Sequence, residues 1–308
     1  MPGPLDLTPK QLEILEHLLD RGGVRPMFDG ALASELAAAL ETGLGDVVPS
    51  LPEVGRMVVG KFHLQQIFTC EGKYAASVDS FEWTLQNVRG RIAHRAVERL
   101  VVAGDDSSPM DLAEGALSYL AEEEEARGPG AFLRGIDEEE RHALVLAVSD
   151  IVTKFVIDWP PIERAWIPRI ESTSKFPLFG GRLELNTRVD LALGMPRGLE
   201  ARTFVVDLKT GRPSPDHRQD LRFYALVETL ARGTPPFRVA SYYLDSGTYD
   251  YEDITADALW ETVAVVVPGI IAMCRVRADG PSTLHANPLC PWCPAFDHCD
   301  VGQEEFSR

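Results

Sequence analysis

Thr203-Phe-Val-Val-Asp207-Leu-Lys209-Thr-Gly211 is the stretch that decides the fold. Phe204, Val205 and Val206 favour a buried strand. Side chains alternate across a strand, so Asp207 and Lys209 share one face and bring a carboxylate and an ammonium together. Thr210-Gly211 ends the strand and Arg212-Pro213 follows. Taken alone, Asp-x-Lys also describes an exposed ion pair on a strand edge. Upstream, Thr187-Arg-Val-Asp190-Leu-Ala-Leu193 alternates, with Val189, Leu191 and Leu193 on one face and Asp190 on the other. A hairpin neighbour would set Asp190 beside Asp207. Adjacent carboxylates repel and raise one pKa unless a cation separates them. An oxygen-seeking divalent ion such as Mg²⁺ or Mn²⁺ meets that need.

Working outward, further strands are expected at 165–171, 183–193, 203–209 and 238–244. A helix over 216–231 carries the stripe Leu221, Tyr224, Ala225, Val227 and Leu230, and another follows near 256–275. The N-terminal side reads as helices at 8–20, 30–43 and, in two pieces, 60–102. The stretch 105–145 reads as two exposed helices around Gly128-Pro129-Gly130. The chain has 308 residues, 45% of them hydrophobic and 25% charged, ordinary values for a soluble globular protein. Its longest apolar run, Val263 to Cys274, is short for a membrane span and broken by Pro268, so no membrane contact is expected. The first residues have neither a basic nor an apolar signal region, and a cytoplasmic location is expected.

The net charge of −17 argues against sequence-independent binding of polyanions, but it is unevenly spread. Residues 111–141 hold ten acids and three arginines, whereas residues 161–222 hold eleven basic and eight acidic side chains. The acidic stretch suits an electrostatic guard against polyanions or a face for a protein partner. Arg89, Arg91, Arg95 and Arg99, with Arg188, Arg212, Arg218 and Arg222, offer a basic groove, and Tyr224 and Trp292 offer stacking surfaces. Each of these arginines could equally pair with an acid.

Asp190, then Asp207-x-Lys209-Thr-Gly, then a helix with Tyr224, resembles the PD-(D/E)XK nuclease superfamily, and within it the RecB-like branch. Gly90-Arg-Ile-Ala-His94-Arg-Ala-Val-Glu98 matches the branch's upstream His helix. The resemblance covers about residues 64–300. It implies a restriction-endonuclease-like core, a mixed central sheet flanked by helices. Residues 1–60 would then be a helical N-terminal extension and 61–308 the nuclease domain, with a helical acidic insertion at about 105–160 and a Cys-rich tail at 285–300. It further implies that His94, Asp190, Asp207 and the backbone carbonyl of Leu208 bind Mg²⁺ or Mn²⁺. Lys209 would stabilise charge on the phosphate or orient water, and Tyr224 would flank the site. Two positions depart from the family pattern. Asp220 stands where the Gln of Gln-x-x-x-Tyr is usual, with Gln219 one place off, and the glycine usual before the Asp190 position is absent at Asn186-Thr187.

Cys290-Pro-Trp-Cys293-Pro-Ala-Phe-Asp-His-Cys299 is a C-x₂-C-x₅-C run, and three thiolates so close favour a soft metal. Cys70 is a distant fourth candidate; structural zinc completed by His285 or His298 is the alternative. Resemblance to AddB-type and CRISPR-adaptation nucleases implies a [4Fe–4S] cluster on Cys70, Cys290, Cys293 and Cys299, stapling the tail to the core. Cys274, on an apolar helix, reads as a buried thiol. The implied function is a metal-dependent nuclease acting on single-stranded DNA or DNA ends, alone or beside a helicase or other repair or defence protein. Alternatives are a DNA-binding scaffolding subunit with a degenerate site and a zinc-stabilised interaction module.

Overall fold

The structure is a computed structural model that describes residues 7–20, 22–76, 82–103, 107–125 and 128–306. The first six residues, and 104–106 and 126–127 of the acidic stretch, lie outside the described residues. The chain opens with α1 (Pro9–Glu13), capped by Thr8 and continued by a π-turn to Leu18. There follow α2 (Leu32–Leu44), β1 (Met57–Val59), α3 (Lys61–Thr69), α4 (Glu71–Ala76) and α5 (Leu85–Ala103). The acidic stretch forms α6 (Pro109–Ala121), α7 (Gly130–Gly135) and α8 (Glu138–Asp158). Then come β2 (Arg169–Leu178), β3 (Leu183–Leu193), β4 (Phe204–Lys209), α9 (Asp216–Arg232), β5 (Arg238–Tyr243), β6 (Thr248–Asp253), α10 (Ala256–Arg277) and α11 (Asp300–Phe306).

One mixed sheet joins these elements, in the order β1-β3-β4-β5-β6 with β2 on the other edge of β3. Its two faces carry separate cores. On one, α2, α3, α9 and α10 bury Leu36, Leu40, Leu64, Leu226 and Ile270 against Leu185, Val189 and Val205. On the other, α1, α5, α6 and α8 bury Ile14, Ile92, Leu117 and Val148 against Leu191, Val206 and Tyr242. The expected mixed sheet flanked by helices is therefore present. The stretch before residue 61 gives the sheet its β1, paired in parallel to Leu183–Leu185. Among the described residues α10 is the one helix long and apolar enough to cross a membrane, and its buried face packs on α2, α3 and α9.

The long strand β3 organises the sheet. One of its edges pairs with β2; the other pairs with β1 at its start and with β4 at its end. Between Leu185 and Leu191 that edge carries no strand partner among the described residues, and the sheet parts there. At the same level the β2–β3 ladder skips the pair Glu171 and Asp190, and Glu171 takes a left-handed φ of 48°. A non-glycine residue there is strained by about 1–3 kcal/mol. The break reverses the facing of β3. Val189 enters one core, whereas Leu191 and Leu193 enter the other. The expectation that these three share a face is thereby corrected.

Two other expectations are corrected. The strand expected at 165–171 begins only at Arg169, because Arg164–Trp166 forms a 3₁₀ turn and Ile167 has φ 51° before Pro168. It runs on through Pro177, which is tolerated because β2 is an edge strand. The insertion helices are not simply exposed; α6 buries Leu112, Ala113, Ala116, Leu117 and Leu120, and only their outer faces carry the acids. The short β1 and the polar edge strand β6 have no periodic signal long enough to read.

Gly194 turns the chain out of β3 with φ 81°, and a Cβ there would lie 2.2 Å from the Arg202 carbonyl oxygen. Gly194→Ala should therefore cost at least about 1–3 kcal/mol of stability. Urea denaturation measures it, and an unchanged midpoint would contradict this packing.

Candidate active site

The split in the sheet gathers charged side chains from both layers. Register pairs Leu191 with Val206, so Asp190 and Asp207 stand one step further along the diverging strands. The Leu208 amide donates to Asp190 Oδ2 at 2.7 Å. From α5, His94 Nδ1 lies 3.3 Å from Asp190 Oδ1. On β4, Lys209 Nζ lies 2.6 Å from Asp207 Oδ2, as the period of two requires. From α9, the Tyr224 hydroxyl donates to Asp207 Oδ1 at 3.3 Å. All the expected centre residues thus converge, from two strands and two helices.

Three members have no counterpart in the sequence reading. Glu171, on the strained turn of β2, joins His94 and Asp190 in a group whose ligand atoms all lie within 4.8 Å of one another. Lys61 starts α3 directly after β1, which runs parallel to β3 and so aims the helix start into the split. Its Nζ is 3.2 Å from Asp207 Oδ1, 3.8 Å from Asp220 Oδ2 and 4.8 Å from the centre of the Tyr224 ring. Gln65, one turn on, donates to Asp220 Oδ1 at 2.7 Å. Asp220 is buried and 3.4 Å from Lys209, whereas Gln219 is exposed. The position four before Tyr224 therefore faces the centre with its own residue, Asp220.

Asp207 and Asp220 face Lys209 and Lys61, so two negative and two positive charges balance. Burial works to raise the Asp207 pKa, but Lys61 and Lys209 outweigh it and hold it well below the carboxylate range. Burial likewise opposes the Lys209 charge, yet Asp207, Asp220 and Asp190 keep its pKa above that of a free lysine. For Asp220 burial wins, and its pKa is raised in spite of the lysines. Burial and then the carboxylates push the Tyr224 phenol well above its ordinary value. Burial disfavours the His94 imidazolium, but Asp190, followed by Asp207 and Glu171, lifts its pKa overall.

Which residues fit a metal follows from the donors. His94, Glu171 and Asp190 offer one imidazole nitrogen and carboxylate oxygens at a common point, a set suited to Mg²⁺ or Mn²⁺. Asp207 Oδ2 is buried beside them; it meets Lys209 as an ion pair but accepts no hydrogen bond. A cation at that oxygen would have to displace the Lys209 ammonium.

The cysteines form a second assembly. Cys70, Cys290, Cys293 and Cys299 line one cavity of about 430 Å³ with His285 and His298. The tail reaches it because Thr283 N–H donates to Glu71 at 2.6 Å, beside Cys70. The amides of Asn287 and Gly302 donate to Cys290 Sγ and Cys299 Sγ at 3.3 and 3.4 Å. Among the described residues no three of these thiols lie within 4.8 Å of one another. Cys274 is buried away from them, on α10.

Six of the eight arginines expected to line a basic groove are ion-paired. Arg89 pairs with Asp245, Arg91 and Arg188 with Glu171, Arg95 with Glu98, Arg218 with Asp250, and Arg222 with Glu252 and Glu261. Tyr224 is only 2% exposed and cannot stack a base, whereas Trp292 is 77% exposed.

Asp220 gives a pH test. Its folded pKa lies above the unfolded value of about 3.9. The native state then holds the proton more tightly than the unfolded chain, and stability is lost as pH rises through that window. Asp220→Asn removes the penalty. Its gain over the natural protein should be near zero at about pH 3.5 and larger at neutral pH in metal-free urea titrations. A gain that does not grow with pH would contradict the buried-charge geometry.

The sequence was compared with known proteins. The profile of the PD-(D/E)XK nuclease superfamily matches residues 62–300. No curated protein matches the sequence. Among solved structures, the chain is similar to SSO0001, with 12% identity over 85% of this chain and 94% of that one and a TM-score of 0.36. It is also similar to a protein of Eubacterium rectale provisionally named an exonuclease, with 12% identity over 80% of this chain and 88% of that one and a TM-score of 0.47. The family profile spans most of the chain, and it agrees with a mixed sheet that parts around Asp190, Asp207 and Lys209: the chain belongs to the PD-(D/E)XK nuclease superfamily.

Proposed function

We propose that this chain is a Mg²⁺- or Mn²⁺-dependent deoxyribonuclease that hydrolyses phosphodiester bonds as an exonuclease on single-stranded ends. The observation that carries it is the convergence of His94, Glu171, Asp190, Asp207 and Lys209 at the split in the sheet. His94, Asp190 and Asp207 would hold the ion, with the Leu208 carbonyl, and Glu171 joins them. A bound ion would lower the pKa of a coordinated water and neutralise the scissile phosphate.

The protein groups have separable tasks. Asp207, held ionised by its lysines, presents a full negative charge at neutral pH. Lys209, held protonated, is a poor general base there and serves as the cation that meets charge developing on the phosphate. Tyr224 keeps its proton and fixes the Asp207 carboxylate by donating to it. The Leu208 amide does the same for Asp190.

End-labelled single-stranded DNA in Mg²⁺ or Mn²⁺ tests this reading. Cleavage should stop in EDTA. Asp190→Asn, Asp207→Asn, Glu171→Gln and Lys209→Met should each lower kcat by about 10²-fold or more. Release of label from one end gives polarity. DNA that is bound but never cut would favour the scaffolding role instead.

For the tail, a [4Fe–4S] cluster on Cys70, Cys290, Cys293 and Cys299 is the better reading. The four thiols share one cavity, amides donate to two of them, and the preference for a cluster rests on the resemblance in cysteine order. The cluster would staple the tail to the start of α4, as a disulfide cannot in a reducing cytoplasm. The cysteine order supports a role in DNA repair, recombination or anti-phage defence beside a helicase or similar partner. Anaerobically purified protein should be brown and carry about four iron and four acid-labile sulfide per chain, both lost in Cys70→Ser. Colourless protein with one zinc per chain would overturn the cluster.

A further inference from the structure

We propose that the cleft between α3, α9 and α10 receives a nucleobase of the substrate strand, next to the phosphate being cut. This rests on the nuclease reading above and adds a subsite to it. The cleft holds about 390 Å³, within the range of small-molecule sites of about 300–1,000 Å³. Two of its wall residues, Lys61 and Asp220, also belong to the charged centre, so its inner end opens on the scissile position.

The lining selects a base over other parts of a nucleotide. Phe68 lines the cleft with half of its surface open to solvent, so its ring is accessible to a ligand. Its seat is built: at Gly269 of α10 a Cβ would come within 2.9 Å of Phe68 Cζ, so the ring lies directly on the helix backbone. Val265 adds apolar surface beside it. Gln65 and Gln219 bring side-chain amides to the wall, and an amide both donates to and accepts from a base edge.

Charge separates the two ends of a nucleotide. Asp216 lines the cleft outside the charged centre, so a phosphate would meet a carboxylate there, whereas a neutral base would not be repelled. Lys61 at the inner end is the group that attracts the phosphate. The base enters and the backbone stays at the metal residues. Every base has a π-face, so stacking on Phe68 holds the strand without reading its sequence. With Tyr224 buried and most of the expected groove arginines ion-paired, Phe68 supplies the stacking that those residues do not.

The test measures affinity for fluorescein-labelled single-stranded DNA by anisotropy in EDTA, with an abasic residue scanned along the oligonucleotide. Phe68→Ala should weaken binding of intact DNA roughly tenfold, the scale of one base–aromatic stack. One abasic position should weaken binding to the natural protein by a similar factor. The same lesion should cost Phe68→Ala nothing further, because one stack cannot be lost twice. Phe68→Tyr keeps the ring and should bind like the natural protein, which separates stacking from misfolding. Unchanged affinity in Phe68→Ala, or losses that multiply, would overturn the subsite and leave the cleft to a protein partner or to none. The titration needs no turnover. A protein that shows the abasic pattern but never cuts DNA keeps the subsite and loses the proposed activity.

Discussion

Four opposed charges packed at a break in the sheet set the terms for everything around them. Asp207 and Asp220 face Lys209 and Lys61 within 3.8 Å, largely shielded from water. Any one of these alone would be costly to bury, and even among its partners Asp220 keeps a net burial penalty. The balance explains why the lysines come from different layers. Lys209 arrives on β4 and Lys61 on α3, so the pair clamps the two sides of the split. It also explains why Asp220 is tolerable where the family usually has a neutral glutamine. Lys61 brings the extra positive charge.

The backbone makes room for this arrangement by breaking its own rules. The ladder skips Glu171 and Asp190, Glu171 accepts a left-handed backbone, and β3 turns its apolar face from one core to the other. Strain of this kind persists only where surrounding structure enforces it. Here β2, β3 and α5 enforce it, and the result is a histidine and two carboxylates within 4.8 Å. The same break lets one edge of β3 serve β1 and β4 in turn, which is what admits Lys61.

Much of the fold could be read directly. Asp207 and Lys209 share a face because a strand has period two, and the apolar stripe of α9 places Tyr224 beneath them. The invisible parts each have a physical cause. Glu171 is the last residue of the strand expected over 165–171, at the start of the polar run Glu-Ser-Thr-Ser-Lys, and its role depends on one backbone angle. Lys61 matters through a three-residue strand too short to show a pattern. The arginines near the motifs looked like a groove because sequence shows charge but not partners; Asp245, Asp250, Glu252 and Glu261 come from distant segments. The cysteines were legible as a set, since soft ligands are rare and their grouping in the tail is tight.

In the proposed reading a bound cation and the two lysines would compete for Asp207, and that competition would define the centre. Anomalous scattering from crystals grown with Mn²⁺ tests it most directly. One peak is expected, bounded by His94, Glu171, Asp190 and Asp207, with the Lys61 ammonium drawn away from the Asp207 carboxylate. Absence of a peak there at saturating Mn²⁺, or a peak that leaves Asp207 paired with both lysines, would contradict the assignment.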